Sequence, residues 1–452
     1  MNRLSSRNRK VVYLVGMIVL LVPIIVLGMP AASGEGSGGY LARLRQEHDL
    51  GETSLGEVDP SSATMNLVLL GLRGVATNIL WMQLQEQKET KQWFQMKATT
   101  DSITQLQPHF LKVWQYHGWN LAFNVSAEWD QVEDRYYWVK EGTKFTMQGS
   151  RRNERFPELY WDVGNMLGKK IGRSDEWQFF RRFYKSDPNT KLFEGGPDPE
   201  ISRFGASEFE DNYLASKYWF HVANDKEESQ AQHIMMRMVF RQYPARAQMD
   251  YADALQREGL FGERTGQAWA EAYRDWTEQY RTGDPGFGQE IFYTPAGGVR
   301  LEASEADMRE LAKKDSVSLR DKRTWTSRYQ DIVSYRYWRT RSDAESRGKT
   351  EAAHREIFEG QKLFREGRLL ESKEMLEAGM EKFASLLEDY PSLTSDDGFI
   401  EEGLMAVLYW RHIHTLLEIP FPENFALRKL WEKEAARIPS LEIDFRRDNG
   451  IG

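Results

Sequence analysis

The sequence predicts an all-α chain, a stack of helical hairpins carried behind an N-terminal membrane-spanning helix. Three observations predict it. Apolar residues recur at helical steps of three and four along most of the 452 residues, punctuated by proline and glycine where hairpins close. Residues 11–29 carry no charge over about the length a helix needs to cross a bilayer. Turn-forming residues concentrate in a few places, 30–64, 186–208 and 283–303, which leaves long runs between them for helices.

Residues 1–10 form a basic tail with Arg3, Arg7, Arg9 and Lys10. Basic residues before an apolar span stay in the cytoplasm, so 11–29 reads as a single-pass signal-anchor with the rest of the chain on the far side. The alternative is a signal peptide cut near Ser33, in the small-residue run Pro30-Ala31-Ala32-Ser33-Gly34, which would leave a secreted or periplasmic protein. The apolar stretch is longer than the about 7–15 residues of a signal core, which favours the anchor. Residues 30–64, rich in Gly, Ser, Pro and acids, have nothing to bury and read as a flexible tether.

A block of hairpins is expected over 65–185. Met65–Trp81 is apolar but holds Arg73, and a charge at the centre of a lipid-facing helix costs about 2.5–3.5 kcal/mol, so a buried soluble helix is predicted. It turns near Lys88–Thr90 into a helix bearing Trp93 and ending at Pro108. Trp114, Gly118 and Leu121 follow at the spacing W-x2-L-G-x2-Y of a tetratricopeptide (TPR) hairpin, a unit of about 34 residues. His117 stands where that pattern has leucine. A small residue at Gly118 lets the partner helix, Tyr136–Gln148, lie close, and Pro157 closes it. Leu167-Gly168-x-x-Ile171 repeats the element one residue out of register, and Trp177–Tyr184 supplies the next helix.

Residues 186–208 read as a loop insertion. Hairpins return over 209–282, as Tyr213–Ala223 with Gln230–Tyr243, closed by Pro244, and as the run through Gly259 with Gln267–Tyr280. An irregular loop at 283–303 has room for a β-hairpin pairing Glu290–Phe292 with Val299–Leu301. Helices fill 304–442, with Gly367 in a TPR-like first helix and a second helix running to Pro391; 443–452 is a charged tail.

Composition narrows the chemistry. With 60 basic and 68 acidic residues and a pI near 5.7, the chain lacks the basic excess of a nucleic-acid binder. Zero cysteines exclude disulfides, thiolate metal sites and a cysteine nucleophile. His412 and His414 point about 200° apart on a helix and cannot chelate from one face. Glu351-x-x-His354 is half of a di-iron motif that needs two copies, so it reads as a solvated helix face. Gly164–Lys170 is one residue short of a P-loop. No catalytic residue, metal or cofactor is expected, and the chain reads as a non-enzyme.

Two binding surfaces are predicted instead. Gln115, Asn120 and Asn124 on a first helix would line a partner groove. Arg336, Tyr337, Trp338, Arg339 and Arg341 belong to a basic-aromatic strip over 320–349 that could contact anionic lipid. The bland account of that strip turns its aromatics to the core and pairs its arginines with neighbouring acids.

The anchor, the tether and the run Leu70-Gly-Leu-Arg-Gly74, Leu106-Gln-Pro-His109, Val113-Trp114, Asn120-Leu-Ala122 and Asn124-Val-Ser126 resemble a family of uncharacterised, membrane-anchored TPR-like proteins of planctomycete-type bacteria, chiefly over about 65–185. The resemblance implies a helical-repeat fold at a bacterial inner membrane and carries no reaction. The expectation is a scaffold for an envelope protein or peptide on the outer, periplasmic face. The alternatives are a ligand-binding or enzymatic pocket in the loop insertions and lipid binding at 320–349.

Overall fold

The structure is a computed structural model that describes residues 6–28, 73–230, 236–281 and 284–451. The described residues are 76% helix, an all-α arrangement with three small hairpins among them. The expected tether and the first part of the helix expected from Met65 lie outside the described residues. Helix α1 spans Ser6–Gly28 with Pro23 inside it. Among the described residues no helix is long and apolar enough to cross a membrane. The side chains described in α1 end at Pro23, so from Val11 they cover only about 20 Å at 1.5 Å per residue. The chain divides into two units, 1–163 with 225–233 and 164–224 with 234–452.

The first unit is built in two layers. Helices α2 (Arg73–Glu89) and α3 (Trp93–Leu106) form one hairpin, α4 (Leu111–Trp119) and α5 (Val132–Arg152) the next, and α6 (Pro157–Asn165) opens a third. Leu84, Met96, Ile103, Trp114, Leu121, Trp138 and Phe145 fill the core, with Trp93 packed at its edge. The α4–α5 seam is as tight as Gly118 predicts. A Cβ on Gly118 would stand 2.0 Å from Thr146 Oγ1, and one on Gly142 would stand 2.5 Å from the Gly118 carbonyl. Gly149 makes room for the Trp114 ring in the same way. Pro108 contributes its carbonyl, which accepts from Trp114 Nε1 at 2.7 Å and from Asn153 Nδ2 at 3.0 Å.

The repeat differs from the TPR period. Helix α4 starts at Leu111 and α6 at Pro157, 46 residues later. At that spacing Trp114 corresponds to Tyr160, Leu121 to Leu167 and Gly118 to Gly164. Gly164 is therefore the seam glycine of the later hairpin, and the out-of-register Gly168 is a second close contact further along. Both first helices also run into a π-helical turn at the same point, Asn120–Val125 and Met166–Lys170. Pro157 stands at the first position of α6, where its missing N–H costs nothing, so it opens that helix as well as following α5.

The second unit continues from Gly164. A Cβ on Gly164 would stand 2.8 Å from the Phe220 ring and one on Gly168 2.7 Å from Ser216 Oγ, both on α8 (Asn212–Gln230). Between them comes α7 (Trp177–Lys185), whose buried Arg181 is held by Asp211, Asn212 and Glu258. Residues 186–208 hold two single-turn helices and the strand pair β1 (Arg203–Phe204) and β2 (Ser207–Glu208). The helix expected over Gln230–Tyr243 is described only as α9 (Arg237–Arg241), and Pro244 opens α10 (Tyr243–Arg257) rather than closing a hairpin. Gly259, at φ 73°, ends α10 in a Schellman turn: its N–H bonds to Gln256 O and that of Leu260 to Leu255 O. Helix α11 (Glu263–Thr277) follows.

In the irregular stretch β3 (Gln279–Arg281) pairs with β4 (Asp284–Pro285), and β5 (Phe292–Thr294) with β6 (Gly297–Val299), the latter displaced by about two residues from the expected pairing. Lys322, fully buried, donates to the carbonyls of Ala296 and Gly298 and to Asp315, fixing this hairpin to α13 (Leu319–Ile332), which α12 (Glu305–Lys314) precedes. Next come α14 (Tyr335–Glu345), α15 (Gly348–Arg365), α16 (Leu369–Asp389), α17 (Asp397–Leu416), α18 (Arg428–Lys433) and α19 (Ile438–Asp448). The α15–α16 hairpin has its own glycine seam, Gly360 against Leu376 and Gly379 against Ile357. Gly367, at φ 78°, makes the Schellman turn between the two helices and packs against nothing, so its role is conformational.

Candidate functional site

Two regions gather side chains that could recognise another molecule. In the first unit the first helices of successive hairpins lie side by side. Tyr116 of α4 reaches α2, its ring 5.9 Å from Trp81 and its hydroxyl accepting from Lys88 Nζ at 2.8 Å. Gln115 of α4 reaches the other way, its Nε2 2.9 Å from Asp162 Oδ2 on α6. The second helices form the opposite layer, with Phe94 on Trp138 at 5.3 Å and Lys97 paired to Glu141. On α4 Lys112 and Trp119 lie seven residues apart, two turns along one side of the helix, and Phe123 follows in the π turn. Lys112 is exposed and donates to Gln115 Oε1, and Trp119, 47% exposed, stacks on Phe123 at 5.4 Å.

This geometry reorders the expected groove residues. Gln115 is half-buried on the open face. Asn120 is 1% exposed, turned to Met96 of α3, and so belongs to the interior between the layers. Asn124 is exposed but its amide bonds back to Asn120 Oδ1, on the side of the helix away from Gln115. The signal for Lys112, Trp119 and Phe123 was present in their spacing. Burial, with Glu158 adding like charge, pushes the Asp162 carboxyl up to about 7 even though Gln115 donates to it.

In the second unit a cleft of about 330 Å³ is bordered by Asp253, Gln256, Arg341, Glu345, His354 and Glu402. Its centre is an imidazole between two carboxylates. His354 Nδ1 lies 2.7 Å from Glu402 Oε1, and Nε2 lies 3.2 Å from Glu345 Oε2 in an ion pair off the line of a good hydrogen bond. Burial disfavours the charged ring, but the Glu402 and Glu345 carboxylates hold its pKa well above the ordinary value. Its expected neighbour Glu351 is elsewhere, accepting from the Gly262 N–H at 2.9 Å. The solvated-face reading of His354 is thus overturned, because its partners come from α14 and α17 rather than from its own helix. Among the described residues no cluster of His, Asp and Glu is arranged to hold a metal ion.

Family models, curated proteins and solved structures offer no match to this chain.

The basic-aromatic strip is internally matched. Arg336 pairs with Asp331 at 2.7 Å, Arg339 with Glu302 at 2.9 Å and Arg341 with Asp253 at 2.9 Å. Tyr337 donates to Asp396, and Trp338 carries the Arg246 guanidinium 3.3 Å from its ring centroid. No residue of 186–200 or 283–300 borders the cleft at His354.

Proposed function

We propose that this chain is a membrane-tethered helical-repeat scaffold that holds a protein or peptide of the cell envelope along the face formed by α2, α4 and α6. The observation that carries the reading is the side-by-side placement of those three helices, linked through Tyr116 and Gln115, with Lys112 and Trp119 exposed between the links. A stacked aromatic pair beside a cation suits an extended segment with apolar and acidic side chains, since aromatic anchors supply most of the energy at such surfaces. The charge-free run 11–29 behind four basic residues supports an inner-membrane anchor with the array on the periplasmic side. The resemblance over 65–185 to membrane-anchored TPR-like proteins of planctomycete-type bacteria supports the same address. The ion-paired arginines at 336–341 give lipid binding there no comparable support.

The test is in-membrane crosslinking of the full-length protein, detergent purification and mass spectrometry, comparing the wild type with a Lys112→Ala, Trp119→Ala, Phe123→Ala variant. The expected result is a partner recovered in near-constant ratio with the wild type and lost with the variant at equal protein level and helical content. Every partner staying bound to the variant would remove the groove.

A further inference from the structure

Separately from the scaffold reading, the second unit holds an excess of positive charge around one buried carboxylate. Asp250, 4% exposed on α10, pairs with Lys169 Nζ at 3.2 Å and with Arg173 Nη2. Both cations come from the turn that follows α6. One helical turn before Asp250, the Arg246 guanidinium lies over the Trp338 ring, 3.3 Å from its centroid, and its buried Nε has no hydrogen-bond partner. Three cations against one carboxylate leave two charges unmatched, in a chain whose formal net charge is −8. The next carboxylate along α10, Asp253, is already held by Arg257 at 3.1 Å and Arg341 at 2.9 Å. Burial together with the Arg173 and Arg341 charges pulls the Arg246 guanidinium down to about 10 and burial lowers Lys169, while Asp250 helps to hold Arg173 above its ordinary value against burial.

A cavity of about 160 Å³ opens at this point, bordered by Lys169, Arg246, Asp250, Ser216, Gln242 and Tyr243 among others, with Asp250 its one acidic neighbour. That is the volume of about five waters. The side chain of Lys169, 38% exposed, keeps its mouth in reach of solvent. We propose that this cavity binds a phosphate-type oxyanion, free or carried as a monoester. Arg246 Nε and Lys169 Nζ donate to it, and the anion supplies the charge that Asp250 alone does not. Guanidinium and ammonium donors to a doubly charged oxyanion make the stronger, charge-assisted class of hydrogen bond.

The experiment is isothermal titration of full-length protein in a neutral detergent with inorganic phosphate and with glycerol 3-phosphate, at ionic strength held constant with chloride. Saturable binding is expected, weakened at least tenfold by Arg246→Gln and by Lys169→Gln. Tighter binding of inorganic phosphate assigns a free anion, and tighter binding of the ester a monoester. No saturable binding of either by the wild type overturns the proposal, and so does binding that both substitutions leave unchanged. Lys169→Gln decides the matter should Arg246→Gln, which breaks the Trp338 stack, fail to fold.

Discussion

Replacing Gly142 by alanine tests the seam on which the repeat reading rests. Alanine is the better helix former by about 1 kcal/mol, so at an open helical site the change stabilises. At Gly142 the new Cβ would meet the Gly118 carbonyl at 2.5 Å, the Ala122 nitrogen at 2.7 Å and the Ala122 Cβ at 2.9 Å. The first two are backbone, which no rotamer change moves aside. Reaching an ordinary contact of 3.4 Å requires α4 and α5 to separate by about 0.9 Å, which also loosens Trp114 and Leu121. Overpacking of this kind costs about 1–3 kcal/mol, and the upper part of that range applies to a backbone clash. The expected net is a loss of about 1–2 kcal/mol. Gly266, inside α11 with nothing within 4 Å, is the matched control, and Gly266→Ala should gain up to about 1 kcal/mol. Urea unfolding of the full chain in mild detergent, followed by tryptophan fluorescence and circular dichroism, reads both. A Gly142→Ala midpoint equal to or above the wild type would refute the close packing of the two helices.

Two titrations follow from the buried charges. The folded-state pKa of Asp162 is raised to about 7, so the folded chain binds more protons than the unfolded chain between about pH 4 and pH 7, and stability falls as pH rises through that window. Asp162→Asn should flatten that part of the pH–stability curve and raise stability above pH 7 by roughly 1–2 kcal/mol, allowing for its partial exposure; an unchanged curve contradicts the assignment. For His354 the folded-state pKa is raised, so its stabilising contribution is complete below the unfolded value of about 6.5 and is lost only as pH climbs through the higher folded value. Nitrogen NMR should find its ring doubly protonated at pH 7.5, and less so after Glu402→Gln. A ring titrating at or below 6.5 would break the triad.

The parts legible in the sequence were those encoded locally. Trp114, Gly118 and Leu121 declare a helix with a close neighbour, Ser304 declares the start of α12, and the turn residues of 283–303 declare a small hairpin. What the sequence hid was carried by partners far along the chain. His354 lies three residues from Glu351 but bonds to Glu402, 48 residues on. Asn120 looks like a surface amide until α3 places Met96 against it. The period was misread for a physical reason: the TPR spacing describes α4 well, but α5 is a helix of 21 residues and a π turn lengthens the segment after α4, so the next unit begins at 46 rather than 34.

That recurring π turn has a consequence for how the array can be altered. A π turn admits one residue more than the α-helix it interrupts and so rotates every later side chain about the axis. It returns once, 46 residues later, at Met166–Lys170. Gly118 faces Gly142 and Thr146 across its seam, whereas Gly164, 46 residues on, faces Phe220, so a block of that length carries a first helix and its π turn but not the same partner helix. Grafts that extend this array by a whole lane must therefore inherit its irregularity along with its helices.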